Sequence, residues 1–380
     1  MSRGFPTAEY QARTQKAQSL MAQADLAALL LTTEAEVRYF TGYQTRFWES
    51  PARPWFVIVP ASGRPVAVIP SIGAALMART WIQDIRSWRA PDLQDDGVGL
   101  LTQTLNEIAG GGRIGLPDGH ETHLRMPLAD YHRLAGQIDG TLTGDQGIIR
   151  RLRMVKSAAE ITKIEATCQI AGRAFDRVPQ IARAGVPLAQ VFRHFQMLGL
   201  EEGADWVPYV AGAAAAEGYD DVISPASDAP LAAGDVLMLD TGMMCDGYFC
   251  DFDRNFSLGP PSAAVQAAHD RLIDATDAAA DLARPGVTAA QLFHAMDGIV
   301  TGGAGGSDTG RLGHGLGMQL TEWPSLIPQD HTVLEPGMVL TLEPGIATGG
   351  GMMVHEENIV ITQDGCRFLS PRADRNLVEL

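Results

Sequence analysis

Cysteine is scarce in this chain, long apolar runs are missing, and positive charge is in deficit. Four cysteines occur in 380 residues, Cys168, Cys245, Cys250 and Cys366, and none lies in a CxxC pair. In a chain this long they read as reduced thiols and not as a disulfide frame, which points to the cytoplasm. No run of about 18 apolar residues is available to span a membrane. The first 23 residues are polar and helical in pattern, without the apolar centre of a signal peptide. Lys and Arg number 29 against 45 Asp and Glu, a net charge of −16. Neither nucleic acid nor an anionic membrane attracts such a surface, so a partner of either kind is not expected.

What is present describes an ordinary globular protein. Hydrophobic residues make up 46% and charged residues 19%, and 380 residues exceed what one core usually supports. Residues 8–24 have helical spacing, and strand patterns follow at 26–31, 56–60, 65–69 and 113–116 with turns and helices between them. That alternation predicts an α/β first domain. A basic stretch at 148–156 leads into a helix over 158–174, with Ser157 as its cap and Glu160 as the capping-box partner. The boundary is placed near residue 152, giving domains 1–151 and 152–380. The loop at 44–55 combines Trp48, Trp55, Phe47, Arg46 and Arg53 with two prolines. It reads either as a surface loop with local aromatic packing or as a cover for a site or subunit interface, where Trp and Arg are enriched.

The second domain is organised around residues 234–259. Val236, Leu237, Met238 and Leu239 form a buried-strand pattern that ends in Asp240. Gly242 and Gly247 read as turn signals, and Tyr248, Phe249 and Cys250 as the return strand of a hairpin. Asp251 lies eleven residues after Asp240, so two partly desolvated carboxylates can converge and need a cation between them. His314 stands in Gly313-His314-Gly315-Leu316-Gly317, where the glycines leave room for an approaching ion. Glu343 ends the apolar run 338–342, and Glu356 lies in a strand pattern over 352–362. Strand alternation sends Glu356 to one face and His355 and Glu357 to the other. Two Asp, two Glu and one His suit hard or borderline divalent ions, and four carboxylates suit two such ions better than one.

The runs LDTG and GYFCDFDRNF resemble the first metal motif of the M24 metallopeptidase, or pita-bread, family of Xaa-Pro aminopeptidases, prolidases and methionine aminopeptidases. GHGLG, TLEPG and VHEENIVIT resemble its three later motifs, in the family's order. The resemblance covers roughly 156–370, and the first domain resembles the N-terminal domain of the creatinase and prolidase branch. It implies an α/β (α+β) chain: a creatinase/prolidase-type domain, then a pita-bread metallohydrolase domain. It further implies a homodimer and two divalent transition-metal ions, Mn, Co, Zn or Fe, held by Asp240, Asp251, His314, Glu343 and Glu356. Glu343 and His314 would be catalytic, with Glu343 the general acid and base. Trp206, Tyr209, Thr321, Trp323 and His355 are the candidates for contacting a dipeptide or other small substrate. The 46–55 loop of a partner subunit is a further candidate for shaping the pocket. Asp253 either orients a metal ligand or pairs with Arg254.

The chain also departs from the family pattern. Thr321 stands where the peptidases carry the His of an HExP motif, no His occurs in 219–225, and Val354 replaces an Arg two residues before Glu356. Those histidines hydrogen-bond substrate and the developing tetrahedral centre. Their replacement keeps two alternatives to Xaa-Pro peptidase activity open. One is a non-peptidase enzyme on the same scaffold, an ectoine hydrolase- or creatinase-like amidohydrolase or a dimethylsulfoniopropionate lyase. The other is a non-catalytic binding protein, against which the intact ligand set counts.

Overall fold

The computed structural model describes residues 3–50, 54–307 and 310–380. It divides into two compact units, Met1–Arg153 and Met154–Leu380. Among the described residues no helix is long and apolar enough to cross a membrane. All four cysteines are free thiols.

The first unit is a six-stranded mixed sheet. Its strands are β1 (Ala28–Leu31), β2 (Phe56–Pro60), β3 (Val66–Pro70), β4 (Asp84–Trp88), β5 (Arg113–Leu116) and β6 (Thr141–Gly144), in the order β4-β3-β2-β1-β5-β6. The continuous apolar runs of β1, β2 and β3 are buried except for Pro60 at the end of β2, as strands covered by helices must be. Leu30, Ile58 and Val68 from these strands pack with Leu101 and Leu105 of the helix Val98–Ala109. In the aromatic loop, Trp48 and Trp55 lie 5.8 Å apart, Tyr43 packs on Trp55, and the Arg125 guanidinium sits 5.0 Å over Trp48. Local aromatic packing is what the loop displays; Pro51, Ala52 and Arg53 lie outside the described residues.

The second unit holds two five-stranded sheets and a hairpin. The first sheet comprises β7 (Trp206–Ala216), β8 (Asp235–Cys245), β9 (Tyr248–Phe249), β10 (Phe252–Ser257) and, paired to β10, the C-terminal strand Val378–Glu379. The second comprises β11 (His314–Gly315), β12 (Glu322–Ser325), β13 (Val339–Leu342), then, after the hairpin β14 (Gly345–Thr348) and β15 (Gly351–Val354), β16 (Glu357–Ile361) and the strand Cys366–Phe368. The helices Ala263–Leu282 and Ala289–Val300 pack Leu272, Ala275, Leu292 and Met296 onto Met238, Leu340, Leu342 and Ile359, so one core joins both sheets. Ser157 and Glu160 form the capping box of the helix Ala158–Phe175.

Two local expectations are corrected here. Asp240 does not end its strand: β8 runs on to Cys245, and Gly242 lies inside it, because any side chain there would collide with Leu320. The turn is Asp246-Gly247 alone, both with positive φ, between the paired Cys245 and Tyr248. The pattern over 352–362 is likewise two strands, with His355 and Glu356 at the corner between β15 and β16.

Candidate metal centre

The hairpin of β8 and β10 sets two acids against each other. Asp240 pairs directly across the ladder with Asp253, an arrangement that like charges oppose unless a cation intervenes. Asp251 sits at the break between β9 and β10, where pairing lapses. Its backbone is held from the other sheet: its N–H donates to Asn358 Oδ1 at 3.0 Å, and the Asn358 amide donates back to its carbonyl. Thus β16 fixes Asp251, and the corner before β16 delivers Glu356 to the same point. Glu356 is placed by its own backbone, whose N–H donates to Asp253 Oδ1 at 2.8 Å.

His314 enters from β11. Its Nδ1 lies 2.8 Å from the Gly315 carbonyl, which favours the tautomer with the proton on that nitrogen. Nε2 is then the nitrogen with the lone pair, 3.3 Å from Asp251 Oδ2. The glycines around it serve a purpose other than the one expected. Gly313 has φ +144° with the Thr341 carbonyl against it, and Gly315 has the Trp323 carbonyl against it. They admit neighbouring backbone, and only indirectly an ion. Ligand atoms of Asp251, His314 and Glu356 all lie within 4.8 Å of one another. Asp240 and Glu343 line the same cavity of about 320 Å³.

The electrostatics of this cluster are those of an incomplete charge set. Asp240 Oδ1 and Glu356 Oε1 are buried without a hydrogen-bond partner. Burial, then the neighbouring carboxylates, push Asp240 and Glu356 well above the ordinary carboxylate range. Asp251 is raised by burial against the pull of Arg311, and Glu343 by burial against His314 and Arg311. Groups so strained either protonate or take up a cation. An oxygen-rich set with one imidazole nitrogen matches divalent transition ions, so the residues present fit the group that the motifs imply.

The remaining candidates separate. Tyr209 and Thr321 line the cavity; Tyr209 also hydrogen-bonds Asp240, and burial raises its pKa, keeping the phenol protonated. Trp206, Trp323 and His355 are not among the lining residues. Trp206 sits beyond a register shift in β7, and the Trp323 indole turns away to donate to Thr332 Oγ1 at 3.0 Å. His355 is fully buried behind the cavity, 3.4 Å from Asp253 and 3.5 Å from Glu357. Asp253 holds the Glu356 backbone, while the Arg254 side chain pairs with Glu357 at 3.1 Å.

Arg311 was not expected here. Its Nε lies 3.4 Å from Glu343 Oε1, and its NH2 group donates to Thr321 Oγ1 at 3.2 Å. The signal available in the sequence was a lone basic residue three positions before His314, inside a glycine-rich stretch that reads as a loop. The stretch without a family His supplies Val222 and Ile223, which join Met238, Leu320, Met352 and Val354 as an apolar wall.

The chain is similar to known proteins along both of its units. Residues 162–363 match the model of metallopeptidase family M24, and residues 13–155 match the creatinase/prolidase N-terminal domain. The chain is 31% identical to a probable dipeptidase PepE of Mycobacterium tuberculosis over 371 residues, covering 96% of this chain and 95% of that protein. It is 31% identical to an Xaa-Pro dipeptidase of Pyrococcus horikoshii over 236 residues, 61% of this chain and 66% of that protein. Among solved structures, dipeptidase PepE from Mycobacterium ulcerans superposes with a TM-score of 0.84 at 28% identity, covering 100% of this chain and 99% of that one.

Proposed function

This chain belongs to metallopeptidase family M24, and from that premise we propose that it is a metal-dependent dipeptidase of the Xaa-Pro type. The observation that carries the reading is the pair of orphaned oxygens, Asp240 Oδ1 and Glu356 Oε1, in a cavity also lined by Asp251, His314 and Glu343. Asp240, Asp251, His314, Glu343 and Glu356 would hold two divalent ions, Mn, Co, Zn or Fe. Bound there, such ions polarise a carbonyl and lower the pKa of water towards neutrality.

The protein's own side chains supply the rest. Glu343 opens onto the cavity with 24% of its side chain exposed, and one oxygen, Oε1, faces Arg311. With ions bound, the Glu343 carboxylate would accept the proton of the attacking water and return it to the leaving nitrogen. Tyr209, held protonated, fixes Asp240 from the cavity side. The apolar wall suits a proline ring. The family resemblance implies a homodimer, and the scattered reduced thiols favour the cytoplasm.

Relatives named as dipeptidases across nearly the full chain favour peptide cleavage over the amidohydrolase, lyase and binding-protein alternatives. The test is a Mn-supplemented screen of Xaa-Pro and other dipeptides beside cyclic amides, methylated ureas and sulfonium compounds, with metal analysis of the purified protein. Dipeptide cleavage with up to two ions per chain is expected. Turnover confined to the non-peptides would replace this reading.

A further inference from the structure

A second cavity, of about 200 Å³, is lined by β10, the helices Ala158–Phe175 and Ala263–Leu282, and the C-terminal segment 371–378. It shares no lining residue with the metal centre. Phe175, Phe256 and Leu377 give it a buried apolar floor, while Asp176, Arg372 and Asp374 stand exposed around it. An apolar floor with a few charged groups above it is how small-molecule sites are built. His269, also on the lining, is 2% exposed. Its Nε2 lies 3.0 Å from the Asp374 carbonyl, which favours the proton on that nitrogen. Nδ1 is then an acceptor without a hydrogen-bond partner, and a ligand or water has to supply the donor.

The charges on this lining balance. Arg254 and Arg372 are its cations, and Asp176 and Asp374 its acids. Arg254 is spent on the fold, donating to Glu357 at 3.1 Å and to the Glu356 carbonyl at 3.2 Å. Arg372 donates to Asp277 through Nη2, keeps its Nε 3.8 Å from Glu357, and is stacked 4.0 Å over the Phe368 ring. With 36% of its side chain exposed, it is the cation that a ligand meets. A plain anion would also meet two acids, and a plain cation two guanidiniums, whereas a zwitterion finds a partner for each end. The volume lies below the range of about 300–1,000 Å³ for drug-sized ligands, and a single amino acid fits it better than a peptide.

This cavity is wired to the metal centre through β10. Arg254 holds the carbonyl of Glu356, and Asn255, on the lining, donates to the Val354 carbonyl at 2.6 Å. Val354 and Glu356 both line the metal cavity. Building on the dipeptidase reading, whose products are free amino acids, we propose that the second cavity is a product-feedback site for a free apolar amino acid. Arg372 takes the carboxylate, and Asp374, two residues along the same segment, takes the ammonium. Arg372 drawn to the ligand leaves Glu357 to Arg254, which shifts off the Glu356 carbonyl and loosens that metal ligand.

The test is calorimetric titration of the metal-free protein with L-leucine and with two isosteres that each lack one charge, 4-methylpentanoate and 3-methylbutylamine. Leucine should bind, and each isostere should bind about tenfold more weakly or worse. Arg372→Met and Asp374→Asn should each weaken leucine by a similar factor. Asp240→Ala, altered in the metal cavity, should bind leucine as the wild type does. Leucine and 4-methylpentanoate binding alike, or leucine binding that Arg372→Met leaves intact or Asp240→Ala removes, overturns the site. Manganese titrated with saturating leucine should bind about fivefold more weakly than without it, and in Arg372→Met leucine should make no difference. Unchanged or tighter manganese binding overturns the link to the metal centre. If no dipeptide is cleaved, the dipeptidase reading and the feedback role fail together, while the leucine titration still decides the site by itself.

Discussion

Glu356 and Glu357 are neighbours in the chain, both nearly fully buried, and their protonation is pushed in opposite directions. Glu356 faces the cavity among Asp240, Asp251 and Glu343, and burial with those charges drives its pKa well above the ordinary range. Glu357 faces the interior behind the cavity. Burial alone would raise it too, but Arg254 and His355 outweigh that cost and hold it at about 2. Ser370 and the Ala373 N–H complete its hydrogen bonds. The protein therefore neutralises Glu357 with its own side chains, whereas on the cavity face Arg311 stands against Glu343 while Asp240 Oδ1 and Glu356 Oε1 are left without a hydrogen-bond partner. Where it withholds its own cations, an external one is required, and that asymmetry separates a binding site from a structural ion pair better than burial does.

The sharpest way to break the comparison is to neutralise each acid in turn. Glu356→Gln should cut kcat/KM by about 10³-fold or more, equivalent to about 4 kcal/mol of barrier, and should reduce bound metal. Yet the metal-free protein should be no less stable than wild type in urea, because an unpaired buried charge has been removed. Glu357→Gln should do the reverse. It should cost about 3 kcal/mol near neutral pH while leaving the metal stoichiometry intact. A carboxylate with a depressed folded pKa stabilises above its unfolded value of 4.5 and loses that stabilisation as pH falls towards 2. The two proteins should therefore converge in acid. Equal stability losses from both substitutions would erase the distinction.

Metal addition sharpens the contrast from the other side. Asp240, Asp251 and Glu356 have raised folded pKa values, so the folded protein binds more protons than the unfolded chain above the ordinary carboxylate values. Stability of the metal-free protein should then fall as pH rises through that window. Metal competes for the same oxygens and should restore about 3 kcal/mol at a hundredfold excess over Kd. The metal-induced rise in Tm, read by calorimetry, should be larger at about pH 8 than at about pH 5.5. An increment independent of pH would mean that these carboxylates are not the ligands.

The cavity face was far more legible in the sequence than the interior face. The four ligand acids and the imidazole sit in motifs whose order and turn residues are visible without coordinates, and alternation alone sent Glu356 and Glu357 to opposite sides. It did so even though β15 and β16 break at the corner between Val354 and Glu357. What stayed hidden depended on contacts distant in the chain. Gly242 reads as a turn residue until Leu320, 78 residues on, is seen lying against it. Arg311 reads as loop until Glu343 and Thr321 are placed beside it. Trp206 and Trp323 look like pocket residues because aromatics often are, and nothing local shows where an indole points. The segments at 84–88 and 141–144 are ordinary half-polar stretches that pairing, not pattern, turns into β4 and β6.

His355 lies where the two faces meet, and it offers the finest test of their separation. Its ring sits between Asp253 Oδ1 and Glu357 Oε1, at 3.4 and 3.5 Å, with His269 packed edge-on 6.1 Å away. Burial alone would lower its pKa, but the two carboxylates more than offset this and raise it. Glu357 keeps Arg254 and Ser370 if the imidazole is lost, whereas Asp253 keeps the Glu356 N–H as its hydrogen-bond donor among the described residues. His355→Gln should therefore cost modestly in stability, about 1–2 kcal/mol. Its larger consequence should reach the metal through Asp253 and the Glu356 backbone, weakening affinity by about tenfold. A group with a raised folded pKa stabilises fully below its unfolded value of 6.5 and loses that contribution as pH rises through the folded one. The stability gap between wild type and His355→Gln should thus close at alkaline pH. Metal titration and urea denaturation across pH check both halves. A loss of stability with unchanged metal affinity would place His355 wholly with the interior face, and the neutralised and unneutralised sides would then be independent of each other.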